Sequence, residues 1–364
     1  GYFYGGKTLD SLGPMAEVVE KIPSLRKIVV VEYVRPEPAL DLLGAAQKIA
    51  TPWSTFGVRG AKLELAPLPF DHPLYILYSS GTTGVPKCIV HGAGGTLLQH
   101  QKEHLLHTDI RRTDRVFYFT TCGWMMWNWL MSVLATGATL VLYDGSPFHP
   151  NPGALWQMAE QERINVFGTS AKFIAATQKS LFEPAGSVNL ACLRTILSTG
   201  SPLLPEHFDY VYQHVKGDVQ LASISGGTDI VSCFALGSPA QPVYRGELQT
   251  RGLGMRVEIF NDAGQPVRGE RGELVCTAPF PSMPVGFWND PDGRKYRAAY
   301  FERFPGIWHH GDYATLTEHD GLIIHGRSDA VLNPGGVRIG TAEIYAVVER
   351  MEEITEALAV GQHW

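Results

Sequence analysis

The sequence predicts an α/β protein: doubly wound, largely parallel sheets, a small β-barrel-like subdomain, and the start of a small C-terminal α+β domain. Two observations predict this class. Up to about residue 232, apolar strand-like runs at 166–169, 193–198 and 219–224 alternate with helix-forming stretches. After that point short strands follow one another, joined by turns such as Asp320–Gly321. Alternation of strands and helices indicates parallel sheets, whereas hairpins indicate an antiparallel subdomain.

The same change, from alternating strands and helices to consecutive strands, suggests a domain organisation. We expect residues 1–326 to form one large domain, within which 233–326 are the β-rich part. Residues 327–329 are expected to be a linker, and 330–364 the start of a further domain. That last stretch offers too few elements to bury a core of its own, and the first residue, Gly1, is not an initiator methionine. We therefore expect both ends of the sequence to be cut from a longer protein.

Helices are predicted on both sides of the apolar run 74–77. Residues 1–66 are predicted to form helix, strand and helix, and 96–107 has helix-forming composition with His100, His104 and His107 along one face. A metal site is one hypothesis for that face. A solvated helix face is the interpretation we prefer, because no cluster of carboxylates or cysteines accompanies the histidines.

Composition describes a globular, enzyme-like chain. Of 364 residues, 45% are hydrophobic and 18% are charged, and a net charge of −6 provides no basic footprint for nucleic acid. The five cysteines are dispersed without a CxxC pair, which favours free thiols and a cytoplasmic location. Residues 124–143 carry no charge, but a helix ending near Gly137 and a buried strand explain them better than a membrane span.

A loop rich in glycine and hydroxyl groups follows the apolar run 74–77. Glycines let backbone N–H groups approach phosphate oxygens, hydroxyls donate further bonds, and a lysine supplies charge. The spacing differs from the Walker A motif, since two residues separate the glycines and Cys88 follows the lysine. A flexible surface turn is the alternative. The candidate phosphate-binding residues are Ser80, Gly81, Thr82, Thr83, Gly84 and Lys87.

The stretch SSGTTGVPK resembles the signature loop of the adenylate-forming superfamily, which includes acyl-CoA synthetases, luciferases and the adenylation domains of peptide synthetases. The resemblance extends over nearly the whole chain, because later segments match in the family's order. It implies a reaction in which ATP and a small carboxylic acid form an acyl-adenylate and pyrophosphate. It also implies Mg²⁺ and coenzyme A as cofactors.

Several later segments are assigned roles by this resemblance. Gly200, Ser201 and Pro202 match the segment that packs against adenine. The run from Ser223 to Asp229 matches the segment that meets the α-phosphate and Mg²⁺; its nucleotide-binding members are Ser223, Ile224, Ser225, Gly226 and Gly227. Thr228 is implied as a phosphate ligand and Asp229 as a metal ligand, although the family more often has glutamate there. Lys87, Thr228 and Asp229 are the implied catalytic residues.

The C-terminal segments complete the implied nucleotide site. Asp312 resembles the aspartate that accepts the ribose hydroxyls, and Arg327 the arginine that reaches ribose or phosphate. Asp329 matches the hinge about which the C-terminal domain rotates, Arg338 a residue near the phosphate, and Gly335 one near the CoA tunnel. We expect the family's adenylation lysine to lie past Trp364, and no residue here is assigned to it.

The acid pocket is predicted from two segments. Trp124, Met125 and Met126 are expected to line one wall, with a plain core helix as the alternative. Gly226 is expected to leave room for an acid larger than acetate, with a purely backbone role as the alternative. Taken together, these segments most resemble those of the acetoacetyl-CoA synthetases. Another acyl- or aryl-CoA synthetase, and a non-catalytic nucleotide-binding fragment, are the other hypotheses.

Overall fold

A computed structural model describes residues 1–79, 86–328, 331–332, 339–348, 351, 354 and 357–359. The chain divides into two compact units. The first comprises Gly1–Pro67 and Tyr143–Leu155, and the second Leu68–Leu142 and Trp156–Trp364. The domain boundaries expected from the sequence, with their linker at 327–329, remain a prediction.

The first unit consists of short elements. Its strands pair two by two: β1 with β2 antiparallel, and β3 with β4 parallel. The strand predicted between two helices of residues 1–66 is present over three residues, Ile28–Val30. The elements are β1 (Tyr2–Tyr4), β2 (Lys7–Leu9), α1 (Leu12–Glu20), β3 (Ile28–Val30), a 3₁₀ segment (Leu40–Ile49), β4 (Ala50–Pro52) and a 3₁₀ turn (Trp53–Thr55).

The second unit is built on a parallel five-stranded sheet in the order β11-β10-β9-β7-β8. Helices lie between its strands in the sequence, as the alternating pattern predicts. The elements are β5 (Pro73–Ser79), β6 (Lys87–Gly92), α2 (Ala93–Lys102) continued by a π-helical turn (Glu103–His107), β7 (Arg115–Tyr118), α3 (Met125–Ser132) with a 3₁₀ turn (Val133–Thr136), β8 (Thr139–Val141), α4 (Ala154–Gln161), β9 (Val166–Ser170), α5 (Ala171–Lys179), α6 (Pro184–Ser187), β10 (Thr195–Thr199), α7 (Pro205–Tyr210) with a π-helical turn (Val211–Val215), and β11 (Gln220–Ser223).

Beyond β11 the sheets are antiparallel. They have the orders β12-β13-β14 and β15-β16-β18-β19, while β17 joins β6 and β5. Within the described residues the four-stranded sheet is open, with β15 and β19 at its edges. The elements are β12 (Ser225–Gly227), β13 (Ser232–Leu236), β14 (Thr250–Arg251), β15 (Val257–Phe260), β16 (Arg271–Cys276), β17 (Gly286–Phe287), α8 (Arg294–Phe301), β18 (Trp308–Leu316), β19 (Leu322–Arg327), β20 (Val331–Leu332), β21 (Ile339–Gly340) and α9 (Thr341–Val348).

The predicted α/β class is confirmed by this arrangement. Two large hydrophobic clusters hold the second unit together, one against the parallel sheet around Trp129 and one against the antiparallel sheets around Trp308. Burial of each such large apolar side chain stabilises the fold by about 1.5–3 kcal/mol. Among the described residues no helix has the length and apolar character needed to cross a bilayer.

The histidines of α2 and its π-helical turn correct a sequence interpretation. His100, His104 and His107 are 0%, 0% and 2% exposed, so the predicted solvated face is wrong. His100 Nδ1 and His104 Nε2 each lie 2.8 Å from Ser132 Oγ, and His107 Nδ1 lies 2.8 Å from a backbone carbonyl. Polar partners from α3 and from the residues that flank β13 make burial of this face possible. The structure shows no group of three or more metal-ligating side chains in the part of the chain it describes.

Gly226 is also placed differently from the expectation. A Cβ atom at this position would lie 2.0 Å from the carbonyl oxygen of Ser232 and 2.5 Å from Cα of Cys233. The strands β12 and β13 pair here with an irregular register between Ser225 and Gly226. The backbone of β13 therefore occupies the space where a side chain of residue 226 would lie. This supports a backbone role for Gly226. The conformation is not left-handed, since Gly226 has no positive φ.

We predict that Gly226→Ala lowers the free energy of unfolding by about 1–3 kcal/mol, because the added methyl group forces β12 and β13 apart. The matched control is Gly227→Ala, whose Cβ would lie at an ordinary 3.4 Å from His310 Cε1. Urea unfolding of both variants measures the difference. Equal stability of the two variants would contradict the close approach.

Because buried histidines are held neutral, we predict that the folded protein loses stability as the pH falls. Burial lowers the pKa of His91 from 6.5 to about 4. Between these values the unfolded chain binds a proton that the folded chain does not, so stability falls as pH falls. From pH 7 to pH 5, His91 should account for a loss of about 2 kcal/mol in the free energy of unfolding. His91→Gln should reduce the measured loss by that amount, and the exposed His72→Gln should not.

Candidate functional site

The segments predicted to bind the nucleotide lie where neighbouring strands of the parallel sheet end. Gly200 follows β10, and the run 225–229 follows β11, which is paired with β10 in parallel. Thr199 Oγ1 donates a hydrogen bond of 2.8 Å to the carbonyl of Ile224, and Ile224 N donates one of 2.8 Å to Ser198. Carboxyl ends of neighbouring parallel strands are the usual ligand-binding edge of such sheets.

Lys87 and Asp229 form the central ion pair of this edge. Lys87 begins β6, opposite Ser79 in the hairpin that flanks residues 80–85. Its Nζ lies 2.5 Å from Asp229 Oδ1, and the two side chains are 27% and 13% exposed. The structure thus brings together two of the residues predicted to be catalytic. The predicted loop residues Ser80, Gly81, Thr82, Thr83 and Gly84 lie outside the described residues.

Tyr300 is a part of this site that sequence reasoning missed. It lies on α8, and its Oη donates a hydrogen bond of 2.5 Å to the same Asp229 Oδ1. The ammonium of Lys87 also lies 5.0 Å from the centre of the Tyr300 ring. The aromatic residues of 296–301 predict only an apolar helix face, so no sequence signal pointed to a polar contact with Asp229.

Electrostatics keep Asp229 ionised. The pKa of its carboxyl lies below the usual value: burial raises that pKa, but the Lys87 charge and the hydrogen bonds from Lys87 and Tyr300 lower it. Burial and the neighbouring carboxylate raise the pKa of Tyr300, so the phenol keeps its proton and remains a donor. The result is an anionic oxygen held between a cation and a neutral donor.

β6 supports the same segment through a second contact. His91 Nε2 lies 2.9 Å from the carbonyl oxygen of Thr228 and is buried with its strand. Residues four apart on a strand point to the same face, so Lys87 and His91 both reach the segment around Thr228. The spacing of Lys87 and His91 was the signal that could have identified His91.

Asp312 and Arg327 face each other across β18 and β19. They are register partners, and Arg327 Nη1 lies 3.4 Å from Asp312 Oδ1 and 3.3 Å from the carbonyl of His310. Asp312 is 6% exposed. The two residues predicted to bind ribose are therefore adjacent, and their role stays a prediction.

His310 lies between the predicted ribose-binding residue Asp312 and the predicted phosphate-binding segment around Gly226. Sequence analysis did not identify it. Its Nε2 lies 3.3 Å from the carbonyl of Gly226 and 3.6 Å from Asp312 Oδ2. Burial lowers the pKa of His310, so the imidazole is neutral at neutral pH. Its place directly before Gly311–Asp312 was the available signal.

The predicted acid-pocket wall is mostly core. Met125 and Met126 are 7% and 2% exposed and belong to the cluster around Trp129, while Trp124 is half-buried against it. A Cβ at Gly200, where φ is +90°, would lie 3.8 Å from the Trp124 ring. Trp124 thus borders the predicted adenine segment Gly200, Ser201 and Pro202. Asp329, Gly335 and Arg338 lie outside the described residues.

Asp229 fits a Mg²⁺ ion that takes its remaining ligands elsewhere. It is an ionised, well-anchored oxygen ligand, and within the described residues both hydrogen bonds to its carboxylate fall on Oδ1. Mg²⁺ commonly uses one or two carboxylates and completes its shell with water and substrate phosphates. A single carboxylate beside a predicted phosphate loop satisfies that requirement.

Comparison with known proteins identifies several relatives of this chain. The chain is 59% identical over 364 residues to an acetoacetyl-coenzyme A synthetase of Rhizobium meliloti, covering 100% of this chain and 56% of that protein. A solved acetoacetyl-CoA synthetase from Streptomyces lividans superposes with a TM-score of 0.91 at 45% identity, covering 99% of this chain and 55% of that one. A malonamoyl-CoA synthetase of Penicillium aethiopicum is 42% identical over 382 residues, covering 99% of this chain and 52% of that protein.

The chain spans about half the length of the curated relatives that it matches. The AMP-binding enzyme family matches residues 7–284, which is most of the chain. The chain therefore belongs to the AMP-binding enzyme family.

Proposed function

We propose that the full-length protein uses ATP to activate acetoacetate, first as acetoacetyl-adenylate and then as acetoacetyl-CoA, releasing pyrophosphate and AMP. The observation that carries the proposal is the Lys87–Asp229 pair at the carboxyl edge of the sheet, in a chain of the AMP-binding family. The similarity to proteins named acetoacetyl-CoA synthetase supports the choice of acid.

The first step is a substitution at the α-phosphorus. A carboxylate oxygen of the acid forms the new P–O bond while the bond to pyrophosphate breaks. Lys87, released from Asp229, offsets the negative charge of the leaving group, and Thr228 donates to the α-phosphate. Asp229 would hold Mg²⁺, which would supply further neutralisation of phosphate charge. Asp312 and Arg327 hold the ribose, and Gly200–Pro202 border the adenine.

The second step is thioester formation. The thiol of CoA attacks the adenylate carbonyl, and AMP leaves with its phosphate oxygen. Asp329 as hinge, Arg338 near the phosphate and Gly335 near CoA are the residues proposed for this stage. A cytoplasmic location is proposed with it, supported by five cysteines that are all free.

A second acid deserves a direct comparison because of the malonamoyl-CoA synthetase relative. Malonamate carries an amide where acetoacetate carries a methyl ketone, so both acids present a carbonyl at the 3-position. Butyrate has the same chain length as acetoacetate without that carbonyl. These three acids separate recognition of the 3-oxo group from recognition of length.

We predict that acetoacetate supports ATP–pyrophosphate exchange in the full-length protein with a kcat/KM at least about tenfold above butyrate, because a site built to bond a carbonyl rejects an analogue lacking it. Malonamate is measured alongside. A preference for malonamate would replace acetoacetate as the substrate, and exchange with butyrate equal to acetoacetate would overturn the 3-oxo assignment.

We predict that Lys87→Ala lowers the exchange rate about a hundredfold while changing the Kd of ATP less than about fivefold, because the lysine charge matters most as pyrophosphate leaves. Lys295→Ala, an exposed lysine on α8, is the matched control and should alter neither quantity. An unchanged exchange rate in Lys87→Ala would remove Lys87 from the reaction.

A further inference from the structure

One oxygen of Asp229 accepts hydrogen bonds from two donors. Lys87 Nζ and Tyr300 Oη both lie 2.5 Å from Oδ1. In the proposed function, which this inference deepens, Lys87 must turn from Asp229 to the phosphates. Tyr300 then remains as the donor to that oxygen.

Aromatic neighbours hold the Tyr300 side chain in place. It is 2% exposed, and its ring stacks on Trp308 at 3.8 Å with an interplanar angle of 13°. Phe287 and Tyr296 meet its edges at 5.8 Å and 5.4 Å. Phe287 pairs with Ile89 of β6, so the ring is fixed to the strand that begins with Lys87. A ring held on several sides directs its hydroxyl with little freedom.

We propose that Tyr300 is a positioning residue for Asp229. It holds Oδ1 after Lys87 has moved to the phosphates, and so leaves Oδ2 as the oxygen available to the cation of Mg·ATP. A carboxylate that can rotate offers its metal oxygen only part of the time, whereas a carboxylate bonded at one oxygen offers the other consistently. Tyr300 therefore strengthens the metal-dependent part of nucleotide binding.

The alternative is that the phenol only satisfies its own hydrogen-bonding need inside an aromatic cluster. A structural role of that kind would affect stability and all nucleotide binding alike. A positioning role affects the contribution of Mg²⁺ alone. The two roles are separated by measuring ATP binding with and without the metal.

The experiment is calorimetric titration of the full-length protein with ATP, in Mg²⁺ and in EDTA, without any acid. Tyr300→Phe keeps the ring and its stacking but removes the donor. We expect it to reduce the Mg²⁺-dependent gain in affinity about five- to tenfold, with affinity in EDTA changed less than about twofold. Tyr296→Phe, in the same helix and cluster, should leave both affinities unchanged, and thermal melting checks that each variant is folded.

A double-mutant cycle tests whether Tyr300 acts through Asp229. Asp229→Asn should itself reduce the gain, and adding Tyr300→Phe to it should have no further effect. The proposal is overturned if Tyr300→Phe keeps the full gain, loses affinity equally in EDTA, or retains its effect beside Asp229→Asn. It is equally overturned if the parent shows no gain from Mg²⁺.

These outcomes are independent of which acid is activated, since no acid is present. A parent that shows the Mg²⁺ gain but no exchange with acetoacetate overturns the proposed substrate and leaves the role of Tyr300 standing.

Discussion

A largely buried negative charge at Asp229 is the constraint around which the site is arranged. A carboxylate removed from water is costly unless charged and hydrogen-bonding partners surround it. Those partners come from distant parts of the chain: Lys87 from the first residue of β6 and Tyr300 from α8. Correct placement of β6 and α8 beside Asp229 is therefore a condition for its ionised state.

The same constraint explains why the backbone around Asp229 is fixed from several directions. His91 holds the carbonyl of Thr228, His310 lies against the carbonyl of Gly226, and β13 approaches Gly226 so closely that no side chain fits. A carboxylate can offer an oxygen in a defined place only if its own backbone is defined. Neutral histidines suit this purpose, because they bond carbonyls without adding a charge that Asp229 would have to balance.

The sequence analysis predicted those features that depend on neighbouring residues along the chain. Alternation of strands and helices predicted the α/β class, and the glycine- and hydroxyl-rich loop singled out Lys87. Asp229 was identified by resemblance to the adenylate-forming superfamily. Contacts across long separations were not predictable: Tyr300 is 71 residues from Asp229, and His91 is 137 from Thr228. Helical spacing grouped His100, His104 and His107 on one face but could not say whether that face meets water or other polar groups inside the protein. The direction of the missing side chain at Gly226 likewise depends on the approach of β13, which no residue near Gly226 reveals.

Charge balance during the proposed reaction links these observations. Lys87 can neutralise either Asp229 or a phosphate, but one ammonium cannot fully serve both at once. When it moves to the phosphates, Asp229 loses a cation while still buried, and a second cation must restore the balance. Mg²⁺ held by Asp229 would supply that charge, and the Tyr300 phenol donates a hydrogen bond to the carboxylate without adding a charge. The Lys87–Asp229 ion pair would thus couple two events in the proposed reaction. Lys87 could leave Asp229 for the phosphates at low cost only when the nucleotide also brings the Mg²⁺ ion that replaces the lysine charge.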